Sequence, residues 1–86
     1  MEEETKTQEE VQSSISAAFD SVNLINGIVD GSQMTNESTS EKEATVDRNV
    51  AHLEIMEAKA WFSNGLTSQQ ETDIDAAIAT GKAYLA

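Results

Sequence analysis

One histidine and a few closely spaced acids are the residues of this chain whose types and spacing could do chemistry. His52 could act as a general base, and Glu54 and Glu57 are three positions apart, which places both carboxylates on one helix face. A base needs a pocket, however, and two carboxylates without a histidine ligand are a weak metal site. We therefore predict that His52 is a helix-surface or partly buried residue and that both glutamates are solvated. Only a pocket around His52 would indicate a small enzyme.

A second acidic segment, Asp73-Ile74-Asp75, matches only the beginning of a calcium-binding loop. The glycine and the distant glutamate of that loop are missing, and the segment lies within a helical pattern, where acids near the start favour the helix dipole. The chain has no cysteine, which excludes disulfides and thiolate metal sites. We predict no catalytic residue, no cofactor, no metal site and no enzymatic activity.

The charge of the chain is strongly negative, at −11 over 86 residues. Residues 1–43 hold ten acids and two lysines, for −8, so most of the excess lies in the first half. Direct binding to nucleic acid is excluded because it requires basic residues that neutralise phosphates. No apolar run is long enough for a membrane span, and the acidic beginning is unlike a signal peptide. These features predict a cytoplasmic protein, or one that is assembled inside a cell.

The first part of the chain predicts a helix over about residues 8–29. Glu9 and Glu10 lie in its first turn, and Asp30-Gly31 is a stop signal. The following polar stretch predicts a flexible linker over residues 31–40. The N-terminal region, residues 1–30, is thus one unit of the predicted organisation.

The last part, residues 41–86, predicts an antiparallel helical hairpin. Ser40 and Glu43 have the spacing of a capping box for a helix over about 41–63, and Asn64-Gly65 would end it with a left-handed glycine. The next helix, which runs to about residue 84, has two possible capping boxes, Thr67 with Gln70 or Ser68 with Glu71. Its small residues Ala77 and Gly81 would allow a close approach of the two helices. The fold class is therefore all-α, with three helices.

Apolar residues of the first helix recur at alternating steps of four and three, which is the spacing of a contact seam between helices. The predicted contact residues are Val11, Ile15, Val22, Ile25 and Val29, with Ala18 between them. Two alternatives remain open for this seam. It could cover the protein's own hairpin and complete a three-helix bundle, or it could pack against another chain; a linker of about ten residues is long for a bundle.

The adjacent aromatic residues Trp61 and Phe62 are the largest apolar pair in the chain. Neighbouring residues on a helix point about 100° apart, so they cannot both face the same partner fully. One of them is expected in the core between the hairpin helices. The other is a candidate anchor for a protein contact, or a second core residue.

Residues 48–86 resemble the ends of small acidic helical proteins of tailed bacteriophages. The similar segments are Arg48-Asn49-Val50, His52-Leu53-Glu54-Ile55-Met56, Ala77-Ile78 and Gly81-Lys82-Ala83-Tyr84. The resemblance implies a virion component or an accessory binding protein and assigns no functional residue.

Together these features predict a non-enzymatic structural or assembly protein that makes helix-mediated contacts with a protein partner or with copies of itself. The alternative is an acidic inhibitor that mimics nucleic acid and occupies a basic cleft of a host protein. That alternative requires carboxylates arrayed on one surface.

Overall fold

The computed structural model of the chain describes residues 6–86, and every regular element in this range is helical. The helices are α1 (Gln8–Asp30), α2 (Thr39–Glu57), α3 (Ala60–Ser63) and α4 (Ser68–Leu85). The prediction of an all-α fold is confirmed. The predicted hairpin corresponds to α2 and α4, which run antiparallel and are joined through the single turn of α3.

Two of the helices begin with reciprocal capping boxes. The Thr7 hydroxyl accepts from the backbone N–H of Glu10 at 3.1 Å, and the Thr7 N–H donates to the Glu10 carboxylate at 3.0 Å. Thr67 and Gln70 make the same pair of bonds at the start of α4. The sequence allowed two capping boxes for that helix, and the structure has the one formed by Thr67 and Gln70. Each box satisfies backbone donors that the first turn leaves without helical partners.

The beginning of α2 differs from the prediction. Its N-cap is Ser38, whose hydroxyl accepts from the N–H of Glu41 at 3.2 Å, so the predicted box of Ser40 and Glu43 is wrong. The connection to α1 is accordingly short, residues 31–38. Gly31 ends α1 in the left-handed conformation, with φ of 87°, which confirms the predicted stop.

The end of α2 also differs, because the predicted continuous helix to residue 63 is interrupted. α2 ends at Glu57, Lys59 is extended with φ of −93° and ψ of 119°, and α3 then forms one turn. The Ser63 hydroxyl donates to the Glu57 carbonyl at 2.7 Å, which closes this turn over the end of α2. Gly65 does not take the predicted left-handed conformation. A Cβ there would lie 2.6 Å from Cγ1 of Val11, so the glycine provides space for α1.

The core lies between α1, α2 and α4, and all three contribute to it. Its buried apolar residues are Ile15, Ala18, Val22, Ile25, Ile28, Val46, Val50, Leu53, Phe62, Ile74 and Ala77. The molecule is therefore a three-helix bundle in which α1 covers the hairpin. Within the described range, no helix has the length and apolar character needed to cross a membrane.

All three long helices meet at Gly81. A Cβ on this residue would overlap Cγ2 of Val50 and would lie 3.2 Å from Cγ1 of Val46 and 3.4 Å from Cγ2 of Ile25. Ala77, one turn earlier, is also buried. The predicted close approach of the hairpin helices is confirmed at Gly81.

Candidate functional site

The predicted contact seam of α1 lies mostly inside the protein's own core. Ile15 and Val22 are 4% exposed and Ile25 is fully buried, whereas Val11 is half-buried and Val29 is 37% exposed. The seam could have packed on the protein's own hairpin or on another chain. In the structure, α1 packs on its own hairpin. A second chain could reach the three buried residues only if α1 left the hairpin.

The side chains of the two adjacent aromatic residues point in different directions, as helix geometry requires. Phe62 is fully buried in the core, which removes it as an exposed anchor. Trp61 is half-buried and meets the edge of Phe62, with ring centroids 6.2 Å apart and planes at 83°. The Lys6 ammonium lies 5.5 Å from the centre of the Trp61 ring. Trp61 is therefore the one of this pair with surface available for a contact.

The histidine does not line the cavity beside the start of α1. His52 is half-buried on α2. This cavity is shallow and open, has a volume of about 420 Å³, and is lined by Lys6, Glu9, Glu10, Ser13 and Ser14.

Four carboxylates converge where α2 and α4 run side by side, and we call them the α2–α4 acidic face: Glu54, Glu57, Glu71 and Asp75. Asp75, Glu71 and Glu54 all lie near enough to the Glu57 side chain to affect its pKa. Burial, the interaction with Asp75, and the charges of Glu71 and Glu54, in that order of size, together raise the pKa of Glu57 to about 7. Glu54 is itself paired with Lys82, whose Nζ lies 2.6 Å from its carboxylate.

Sequence reasoning identified only half of this face. Glu54 and Glu57 were singled out for their spacing, and they were correctly placed on one face of a helix. Glu71 and Asp75 have the equivalent spacing of four on α4. The sequence does not give the register in which the two antiparallel helices pair, and it is this register that brings the two pairs of carboxylates together.

The arrangement of these four carboxylates limits their chemistry. Within residues 6–86, no three acids or histidines are placed to hold a metal ion together. A carboxylic acid whose pKa is raised by neighbouring carboxylates instead lies in a region of excess negative charge. Such a region is stabilised by whatever brings positive charge, either a proton or the basic side chain of another molecule.

The segment that resembles phage proteins, residues 48–86, contains part of α2 and all of α3 and α4. It therefore includes the whole α2–α4 acidic face and one side of the core. The resemblance stays a prediction. No protein-family model matches this chain, and no curated protein or solved structure gives a significant match to it.

Proposed function

We propose that this protein is a non-enzymatic binding protein that attaches to a positively charged surface of another protein, as a structural or accessory part of a larger assembly. The observation that carries the proposal is the α2–α4 acidic face. Repulsion among its carboxylates opposes folding, and a basic partner would relieve it. Surfaces that retain such unfavourable charge are commonly those that bind.

The fold favours one of the two kinds of partner, a different protein, over a second copy of the chain. The apolar seam that could have joined copies of the chain is covered by the chain itself, and two copies with a charge of −11 each repel one another. Both facts favour a different, basic protein over self-assembly. The resemblance to phage proteins supports a phage particle or an infected cell as the place of that contact.

A second candidate function uses the same face. Carboxylates on two neighbouring helices form an extended negative surface, which is what a protein mimic of nucleic acid requires. In that case the partner surface is a nucleic-acid-binding cleft of a host protein. The two candidates differ in one outcome: the mimic displaces DNA or RNA from its partner, whereas an assembly protein leaves that binding unchanged.

The proposal is tested by binding to a fluorescent lysine-rich peptide, measured by anisotropy at low and moderate salt. The double variant E54Q/E71Q removes two charges from the acidic face and should weaken binding at least several-fold. The matched control E9Q/D20N removes two exposed charges from α1 and should weaken it much less. Wild-type binding should also weaken steeply with salt, because ions screen exposed charges beyond about 10 Å at 0.1 M.

Equal weakening in both double variants would show that total charge alone drives the interaction and would contradict a specific face. Binding that does not change with salt would contradict the proposal as a whole. A further measurement distinguishes the mimic from the assembly protein. The wild-type protein, with all four carboxylates of the α2–α4 acidic face, is tested for displacement of a labelled DNA duplex from a basic DNA-binding protein.

A further inference from the structure

Two asparagines of this chain are each followed directly by a glycine. Asn26-Gly27 lies inside α1, and Asn64-Gly65 begins at the residue that ends α3. Glycine has no side chain to shield its backbone nitrogen, so this nitrogen can attack the side-chain amide of the preceding asparagine more readily than that of any other residue. The two pairs have the same chemistry, and any difference in how fast they react is therefore set by the fold.

The reaction needs only water. The glycine nitrogen forms a bond to Cγ of the asparagine and gives up its proton through solvent to the side-chain nitrogen, which leaves as ammonia. The cyclic succinimide that results then takes up a water molecule. Opening of the ring in one direction gives aspartate. Opening in the other direction gives isoaspartate, whose main chain is longer by a carbon. Both products carry a carboxylate where the asparagine was neutral.

The turn at Asn64 is held by few bonds. Asn64 has φ of −70° and ψ of −17°, helical angles that keep the next nitrogen away from Cγ, so the turn must open before it reacts. The Gly65 N–H donates to the Phe62 carbonyl at 3.0 Å. The Leu66 N–H donates to the Ser63 carbonyl at 3.2 Å. Both bonds reach back only three residues, the weaker geometry of a 3₁₀ turn. The Asn64 side chain is exposed to water.

Opening at Asn26 disturbs far more of the structure. Asn26 is exposed, but the Gly27 nitrogen that must attack it belongs to a buried residue inside a long helix. The Gly27 carbonyl also accepts from the backbone N–H groups of Ser32 at 2.8 Å and Gln33 at 3.0 Å. Ile28, the next residue, is a member of the core. Freeing this nitrogen therefore costs helical bonds, the beginning of the α1–α2 connection and apolar packing, so local opening is rarer here.

We propose that Asn64 is a site of spontaneous covalent modification, at which attack by the Gly65 nitrogen converts the asparagine to aspartate and isoaspartate, whereas the fold protects Asn26. The modification alters a turn that touches the rest of the bundle. A Cβ on Gly65 would lie 2.6 Å from Cγ1 of Val11, and Leu66 packs against the core. A main chain lengthened at this point displaces one of these contacts. The modified protein is therefore more acidic and less stable.

The test is incubation of the whole protein in mildly alkaline buffer, followed by tryptic peptide mapping with mass spectrometry. Cleavage after lysine and arginine places the two pairs on different peptides, residues 7–42 and 60–82. In the folded protein, conversion at Asn64 should be roughly tenfold faster than at Asn26, or more, because its turn opens more often. In denaturant the two rates should become nearly equal. N64Q should stop the reaction at that position, since glutamine would have to form a larger ring, and the matched control N26Q should leave it unchanged.

The same samples test the effect on the fold. Incubated wild-type protein should unfold at a temperature several degrees below that of fresh protein, whereas N64Q should keep its unfolding temperature. Conversion at Asn26 as fast as at Asn64 in the folded protein would overturn the proposal. So would an Asn64 that stays intact while the denatured chain converts. An unchanged unfolding temperature after conversion would contradict the loss of contacts at the turn. None of these readouts involves the proposed basic partner, so either proposal can fail while the other stands.

Discussion

At the scale of single residues, Gly81 has little free space around it in the core. It is buried on α4 where the valines of α2 and Ile25 of α1 converge, and a Cβ there would overlap Val50. Gly27, in the interior of α1, is also buried, but a Cβ there would meet only the side chain of Gln33, which is exposed and can rotate away. The two glycines thus serve different purposes, and the same substitution distinguishes them.

We expect G81A to lower the free energy of unfolding by about 1–3 kcal/mol, because an added methyl group in a filled core forces its neighbours to move. G27A should be neutral or should raise it by up to about 1 kcal/mol, since alanine is the better residue inside a helix. The measurement is chemical denaturation followed by circular dichroism. Equal losses in the two variants would contradict the difference in their surroundings.

Single residues also show how far sequence reasoning reached. The seam residues Ile15, Val22 and Ile25 were correctly identified as one apolar face, because helical spacing is visible in the sequence. The raised pKa of Glu57 was not predicted, since it arises from burial and from residues that lie 14 and 18 positions away on another helix. Periodicity describes a residue's own helix and contains no information on which carboxylates a second helix brings near.

At the level of elements, the beginning of α2 shows why a helix boundary is hard to predict from the sequence. Ser38 and Ser40 are each followed three residues later by a glutamate, Glu41 and Glu43, so the chain offers two equivalent caps. The structure has the first, which lengthens α2 and leaves a connection of residues 31–38. This length is within the usual range for helical bundles, whereas the longer predicted linker was not.

This assignment predicts that S38A lowers the free energy of unfolding by about 1 kcal/mol, because the first turn loses the acceptor for the Glu41 N–H. S40A should change it by less than about 0.5 kcal/mol, as is usual for an exposed helical position. Thermal unfolding of the two variants side by side provides the comparison. A larger loss in S40A would place the beginning of the helix two residues later.

The break between α2 and α3 could not be predicted from the sequence. Neither glycine nor proline occurs between residues 56 and 63, and the apolar pattern continues through the segment. The interruption depends on the Ser63 hydroxyl, which bonds to the Glu57 carbonyl, and on the burial of Phe62. The first is a local bond across six residues and the second is a tertiary feature, and together they override the helical preference of the segment.

For the whole molecule, the central result is that the chain completes its own core. α1 supplies Ile15, Val22 and Ile25 to a core whose other walls are α2 and α4, so all three long helices depend on one another. The sequence could not decide between this packing and a contact with another chain, because a heptad seam looks the same in both. The exposed surface of residues 6–86 includes the large apolar residues Val29 and Ile55, but no seam of them, and this moves the expected contact from apolar packing to charge.

The same excess charge predicts how the whole protein responds to salt. At −11 the folded chain repels itself, and raising sodium chloride from about 0.01 to 0.1 M shortens the screening length from about 30 to 10 Å. We therefore expect the unfolding temperature to rise by several degrees over this range, independently of protein concentration. E9Q/D20N, with two charges fewer, should be more stable at low salt and should rise less. A fall with salt would instead mean that attractive ion pairs such as Glu54–Lys82 outweigh the repulsion, and a dependence on protein concentration would contradict a chain that completes its own core.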